Sequence, residues 1–206
     1  MSFLTLLPLA IVMIAGPQLL SAIFLATSED WRRNSALFVF GATLSITLIV
    51  TVAYLLGNSV SGGGESSHTG LQIIVLLLLL SAMVSVYLGR EEAEPPKWMG
   101  KLQSANPRFS FKLGFLLLGV FPTDILTSAA VGSYLSSNDL PWRDSIGFIL
   151  LTVLLLALPS IAVLALGKRA EAFLPKVRDW MNANSWIVNE AVILLFILLT
   201  LNNLLG

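Results

Sequence analysis

The sequence predicts an all-α membrane protein of six transmembrane helices, arranged as two inverted-topology repeats of three, with helices 1 and 4 broken or kinked at mid-membrane prolines. Three observations predict it. The chain of 206 residues is 56% hydrophobic and 12% charged, with a mean hydropathy of +0.84, so lipid is its natural solvent. Six segments are apolar for the ~20 residues that a helix needs to cross about 30 Å of hydrocarbon. Prolines stand near the middle of the first and fourth of these segments.

The six segments are 3–26, 35–56, 71–88, 113–135, 145–166 and 186–205. Each is read as helix, because an isolated apolar strand in lipid leaves its backbone polar groups unpaired. The first segment reads as a span and not as a cleaved signal, since no basic residue precedes it and its apolar run exceeds a signal core. The Gly/Ser-rich stretch 59–70 is a connection between spans. The chain divides into a first repeat of about 1–90, a linker of about 91–112 and a second repeat of about 113–206, all within one membrane domain.

Of 12 Lys and Arg residues, 11 fall after the first, third and fifth spans. Under the positive-inside rule those loops are cytoplasmic, and both termini of a multi-pass inner-membrane protein face outward. The two long basic loops share a composition: Pro95-Pro96-Lys97-Trp98-Met99 in one, Pro175-Lys176 and Asp179-Trp180-Met181 in the other. Each reads as a short interfacial amphipathic helix, Trp at headgroup depth and basic residues toward anionic lipid.

The halves carry traces of duplication. Gly16-Pro17 lies in span one and Trp31-Arg32 follows it; Phe121-Pro122-Thr123-Asp124 lies in span four and Trp142-Arg143 follows it. Spans two and five each end at a glycine, Gly57 and Gly167. A proline removes a backbone donor and clashes with the preceding turn, so both helices should break. Proline is also common in membrane helices, but matched breaks in oppositely oriented halves point to a transport site.

Two acidic residues lie inside the apolar segments, Asp124 and Glu190. Asp124 is twelfth of 23 residues in its span, where a charge costs about 3 kcal/mol on insertion scales. It must be neutral, paired or facing a wet cavity, and no Lys or Arg sits at comparable depth. Two roles are open to it: a reversible proton or cation site, or compensation of the half-helix that Pro122 begins. Thr123, Thr127 and Ser128 after one break, with Gly16, Pro17, Gln18 and Ser21 at the other, complete a candidate polar cavity. Thr43, Ser45, Thr47 and Thr51 read as packing residues. Asn189 and Glu190, a turn inside span six, are a candidate gate.

Other chemistries find little support. The chain has no cysteine and one histidine, His68, in a loop, which argues against a thiolate or His-cluster metal site, though oxygen ligands to a hard cation stay open. It has no Gly-rich Lys-Ser/Thr phosphate loop, and no Ser/His or paired-acid constellation at common depth, so neither enzyme nor cofactor is expected. Zero net charge gives no reason to expect nucleic acid.

The proline motifs of spans one and four, with the Pro-Pro-Lys-Trp-Met loop between them, resemble the lysine exporter (LysE) superfamily over essentially the whole chain. Within it the likeness is greatest to the GAP family of peptidoglycolipid-addressing proteins, associated with export of envelope lipids. Pro17 and Pro122 match the family's prolines. Where its fourth-span motif has Asn-Pro-Lys-Asn, this chain has Phe121-Pro122-Thr123-Asp124, so a lysine gives way to an acid and a proton or cation becomes more welcome there. The leading reading is a secondary exporter of a lipid-like or weakly polar small molecule, with the buried acid Asp124 as its proton or cation coupling site. The alternatives are a scaffold for envelope lipid biosynthesis and an exporter of small cations or amino acids. Membrane lipid is the expected partner, and Gly114 and Gly119 leave a homo-oligomer open.

Overall fold

A computed structural model describes residues 7–14, 16–60 and 105–184, with positions 80, 84, 87, 88, 102, 186, 187, 190, 191, 193, 194, 197, 198 and 201. The loop at 61–70 and the linker segment 95–99 lie outside the described residues, and the third and sixth predicted spans are described only at scattered positions.

Among the described residues every regular element is helical: α1 (Leu7–Ile14), α2 (Pro17–Ala26), α3 (Trp31–Val60), α4 (Pro107–Val120), α5 (Pro122–Ser137), a 3₁₀ turn (Trp142–Ser145), α6 (Ile146–Leu166) and α7 (Lys168–Ala183). Two of them are long and apolar enough to cross a membrane unbroken: α3, and α6 with its 3₁₀ turn. The pair α4 and α5, bent by 66° at the break before Thr123, is together long and apolar enough for a third crossing if it forms one broken span. The count of six spans, and the third helix of each repeat, rest on the sequence.

Both predicted breaks are present. Gly16 stands between α1 and α2 at φ 84°, a conformation that costs a residue with a Cβ, and Pro17 opens α2 where its missing N–H loses nothing. Phe121 is extended (φ −64°, ψ 126°) and Pro122 opens α5 in the same way. The residue before a proline disfavours helical geometry, which places each break one residue ahead of the ring.

Both helices of the bent pair lie along α3, in the order of the chain. Asn34, in the first turn of α3, donates from Nδ2 to the Ala105 carbonyl just ahead of α4 (3.0 Å). Near the far end, Gly57 lies against Ser136 at the end of α5. Hence α4 and α5 follow α3 in parallel along a stretch of about 35 Å, at about 1.5 Å per residue, which exceeds the ~30 Å hydrocarbon core. On the other side α6 runs antiparallel to α3: the Trp142 indole Nε1, ahead of α6, donates to Thr51 Oγ1 (3.0 Å). Both α1 and α2 pack on α6; α1 also reaches α5, while α2 reaches α4 and α7. The two broken helices are therefore antiparallel, and each long helix packs on the broken helix of the other half.

Three boundaries differ from the sequence reading. Helix α3 begins at Trp31 and passes through Gly57 to Val60, so Gly57 does not end it. Its missing Cβ serves packing instead, since a Cβ there would stand 2.7 Å from Ser136 Oγ. Helix α4 begins at Pro107, ahead of the predicted 113, because Asn106 caps it by accepting from the Phe109 N–H (2.9 Å). Gly167 does end α6, at φ 51°, and turns the chain into α7. That helix is the predicted interfacial one, longer than expected: Ala170, Leu174 and Met181 are buried while Phe173 and Trp180 are exposed.

Large apolar side chains line the outside. Phe40, Leu44, Leu48, Val52 and Leu55 form an exposed stripe on α3, as Leu150, Leu154, Leu158 and Ile161 do on α6. Contiguous apolar surface of this extent is at home in lipid, and the chain is a membrane protein on this ground. Inside, Phe38, Phe148, Leu118, Leu156 and Met13 are fully enclosed. Ser45 is buried too, its hydroxyl without a partner among the described residues, and a Cβ on Gly119 would fall on that oxygen. Gly119→Ala should lower stability by about 1–2 kcal/mol alone and by much less when combined with Ser45→Ala. Thermal unfolding of the four proteins in detergent checks it, and additive losses would show that the two sites do not touch.

Candidate functional site

Because the broken helices are antiparallel and adjacent, their breaks face one another. Gln18 is the second residue of α2 and Asp124 the third of α5; both are buried, at 2% exposure each. The Gln18 amide Nε2 donates to Asp124 Oδ2 at 2.5 Å, joining halves 106 residues apart in sequence. One turn further on α5, Ser128 Oγ points at Met13 Sδ of α1, 3.7 Å away, and both residues are enclosed. Two half-helix N-termini thus meet at a single carboxyl group. Their unsatisfied N–H groups and positive dipole ends offset part of the cost of a negative charge at this depth.

Gln18 Oε1 is enclosed with no hydrogen-bond partner among the described residues. A buried acceptor without a partner costs about 1–3 kcal/mol, so Oε1 is available to a further donor. The amide is bidentate by nature: Nε2 serves an ionised carboxylate, and Oε1 can serve a carboxylic acid O–H or a cation.

The other predicted residues divide. Ser21 and Thr127 are buried, but their hydroxyls donate to carbonyls four residues back, Pro17 (2.6 Å) and Thr123 (2.7 Å), and so are not free for a ligand. Thr123 is exposed on the other face of α5, away from Gln18. Gly16, Pro17 and Pro122 act through the backbone, setting the breaks. Asn189 lies outside the described residues. Glu190 is half-buried, both carboxylate oxygens enclosed and unpartnered among the described residues, and no hydrogen bond there links it to the Gln18–Asp124 pair. Thr43 and Thr51 bond back to Val39 and Thr47, as packing residues do. Met13 escaped the sequence reading; an apolar side chain in an apolar run carries no signal of the polar group it meets. Among the described residues no three His, Cys, Asp or Glu side chains gather as metal ligands do.

A protein-family model described as "SfLAP: Sap, sulfolipid-1-addressing protein" matches residues 6–205, nearly the entire chain. No curated protein and no solved structure matches it. The family match agrees with the lipid-addressing side of the resemblance drawn from the proline motifs and does not extend to the lysine exporter superfamily as such. A membrane-embedded helical chain whose two broken helices meet at a buried acid belongs, by this match, to the Sap (sulfolipid-1-addressing protein) family.

Proposed function

We propose that this chain is a secondary transporter that moves a lipid-like molecule across the cytoplasmic membrane by rocking its two halves about the facing breaks, with Asp124 taking up and releasing a proton or cation. The observation that carries the reading is the Gln18–Asp124 contact, which places a buried ionisable group where two antiparallel broken helices meet. With both side chains buried, the conformation described is closed around the site. Few charges line the spans, which suits a lipid-like cargo, and the family's name ties it to a sulfolipid.

The competing reading is an accessory protein that positions envelope-lipid enzymes and has Asp124 only as a helix-end group. Purified chain in sealed liposomes discriminates. A transporter redistributes a labelled anionic lipid between leaflets faster than protein-free liposomes do; a folded chain that does not, with an ion gradient of either sense, is no transporter.

Alternating access makes a separate prediction. The chain contains no cysteine, so Ser128→Cys creates a unique and nearly isosteric thiol. It should react with a membrane-impermeant maleimide added to either side, more slowly than a surface thiol by tenfold or more. Reaction from neither side would leave the site a sealed packing contact.

A further inference from the structure

Between α3 and α6 runs a lateral groove of about 310 Å³. Small residues line it, Ser35 and Ala36 on α3 with Ala157 and Ser160 on α6, beside Trp31, Val39 and Ile161. It opens toward lipid, because Ile161 and Leu164 on its edge are 42% and 69% exposed. At one end stands Arg32, its guanidinium 5.3 Å from the centre of the Trp31 ring. Among the described residues Arg32 has no acidic partner, although Glu29 and Asp30 precede it in the turn. One helical turn inward, Ser35 is 6% exposed and its hydroxyl has no hydrogen-bond partner among the described residues.

Chemistry along this groove changes in the order in which it changes along a membrane lipid. First comes a cation held at headgroup depth by an indole face, then a hydroxyl about 4.5 Å deeper, then a largely apolar trough in which the Ser160 hydroxyl is already bonded to the Ala157 carbonyl. A guanidinium prefers a phosphate or sulfate, and a buried hydroxyl prefers an ester carbonyl to nothing. Helix α7, amphipathic and rich in Lys and Arg, begins one residue beyond the end of α6 and marks the headgroup plane at the same end of the bundle. Trp31 also borders a second cavity of about 460 Å³, where Arg178 and the acidic Glu29 and Glu171 stand beside the last residues of α2. The other end of α2 carries Gln18.

We infer that the α3–α6 groove is a binding site for one membrane lipid with an anionic phosphate or sulfate headgroup, its headgroup on Arg32 and a chain lying against Ala36, Val39 and Ala157. The site rests on the lipid-handling reading above and supplies it with a loading position.

Detergent-purified full chain, stripped of lipid and then exchanged into nanodiscs of mixed phosphatidylglycerol and phosphatidylcholine, is re-extracted and its retained lipid counted by native mass spectrometry. Wild type should retain about one phosphatidylglycerol per chain, enriched at least fivefold over phosphatidylcholine. Arg32→Gln should remove the enrichment while leaving residual retention. Ala36→Phe, on an exposed position that fills the trough, should reduce retention of both lipids at least fivefold. Glycerol phosphate, which has the charge and no chain, should not compete at millimolar concentration. Equal retention of the two lipids by wild type, an Ala36→Phe chain that keeps its lipid, or competition by glycerol phosphate overturns the site. Failure here is separable from failure of the transport reading. Variants that keep lipid and wild-type flux dispose of the groove alone, and a chain that fills the groove yet moves nothing disposes of transport alone.

Discussion

Replacing Asp124 with asparagine should cut lipid flux through the reconstituted chain at least tenfold while leaving its thermal midpoint within a few degrees of wild type. Asparagine has the shape of aspartate, and its Oδ1 can still accept from Gln18 Nε2, so the contact between the halves survives. What the variant lacks is any ability to bind and release a proton or to neutralise a cation. A tenfold loss corresponds to about 1.4 kcal/mol, small beside the free energy that an intramembrane charge commands. Asp124→Ala gives the structural control. It leaves both polar atoms of the buried Gln18 amide without partners and should cost about 1–3 kcal/mol of stability, a loss that Asp124→Asn avoids. Undiminished flux in Asp124→Asn would take the acid out of the mechanism and leave it as a helix-end group. Flux and stability lost together in both variants would point the same way.

The largest effect on folding is expected at Gly114. A Cβ there would run into the carbonyl oxygen of Phe38, and on the facing helix a Cβ at Gly41 would run into that of Phe111. These atoms belong to helical backbones, which cannot give way without moving α3 from α4. Small residues that let backbones approach are the usual basis of helix association in lipid, where apolar surface itself gains nothing by leaving the solvent. Gly114→Ala should lower stability by about 3 kcal/mol, the upper range for overpacking, and Gly114→Leu should prevent the bundle from forming. Gly167→Ala is the comparison: its surroundings are open, so only the φ of 51° counts, at about 1 kcal/mol. Thermal unfolding in detergent would check the ranking, and a Gly114→Ala protein as stable as wild type would show that the helices do not meet as described.

What could be read ahead of the structure follows from how local each cause is. A proline disrupts its own turn and the one before it, so the break ahead of Pro17 and the break ahead of Pro122 were both legible. An amphipathic helix was legible after span five from Pro175-Lys176 and Asp179-Trp180-Met181, and α7 runs through both segments. Boundaries were less so. Hydropathy placed the start of span four after the basic residues Arg108 and Lys112, whereas the Asn106 cap and Pro107 let the helix begin among them. Gly57 looked like a terminator and is a contact, since a glycine's meaning depends on what lies beside it.

The sequence by itself determined that this chain lives in lipid, where its helices break, and that Asp124 falls midway along an apolar segment, where a carboxyl group needs compensation. Only the tertiary structure decided that Gln18 supplies that compensation, that Met13 faces Ser128, and that Thr123 points away. The physical reason is the solvent. In water a helix writes its buried face as an apolar stripe, whereas in hydrocarbon both faces are apolar and the pattern no longer says which side meets which neighbour. Which faces meet is settled by where backbones can approach closely, as at Gly41 and Gly114, and that is a property of two helices together.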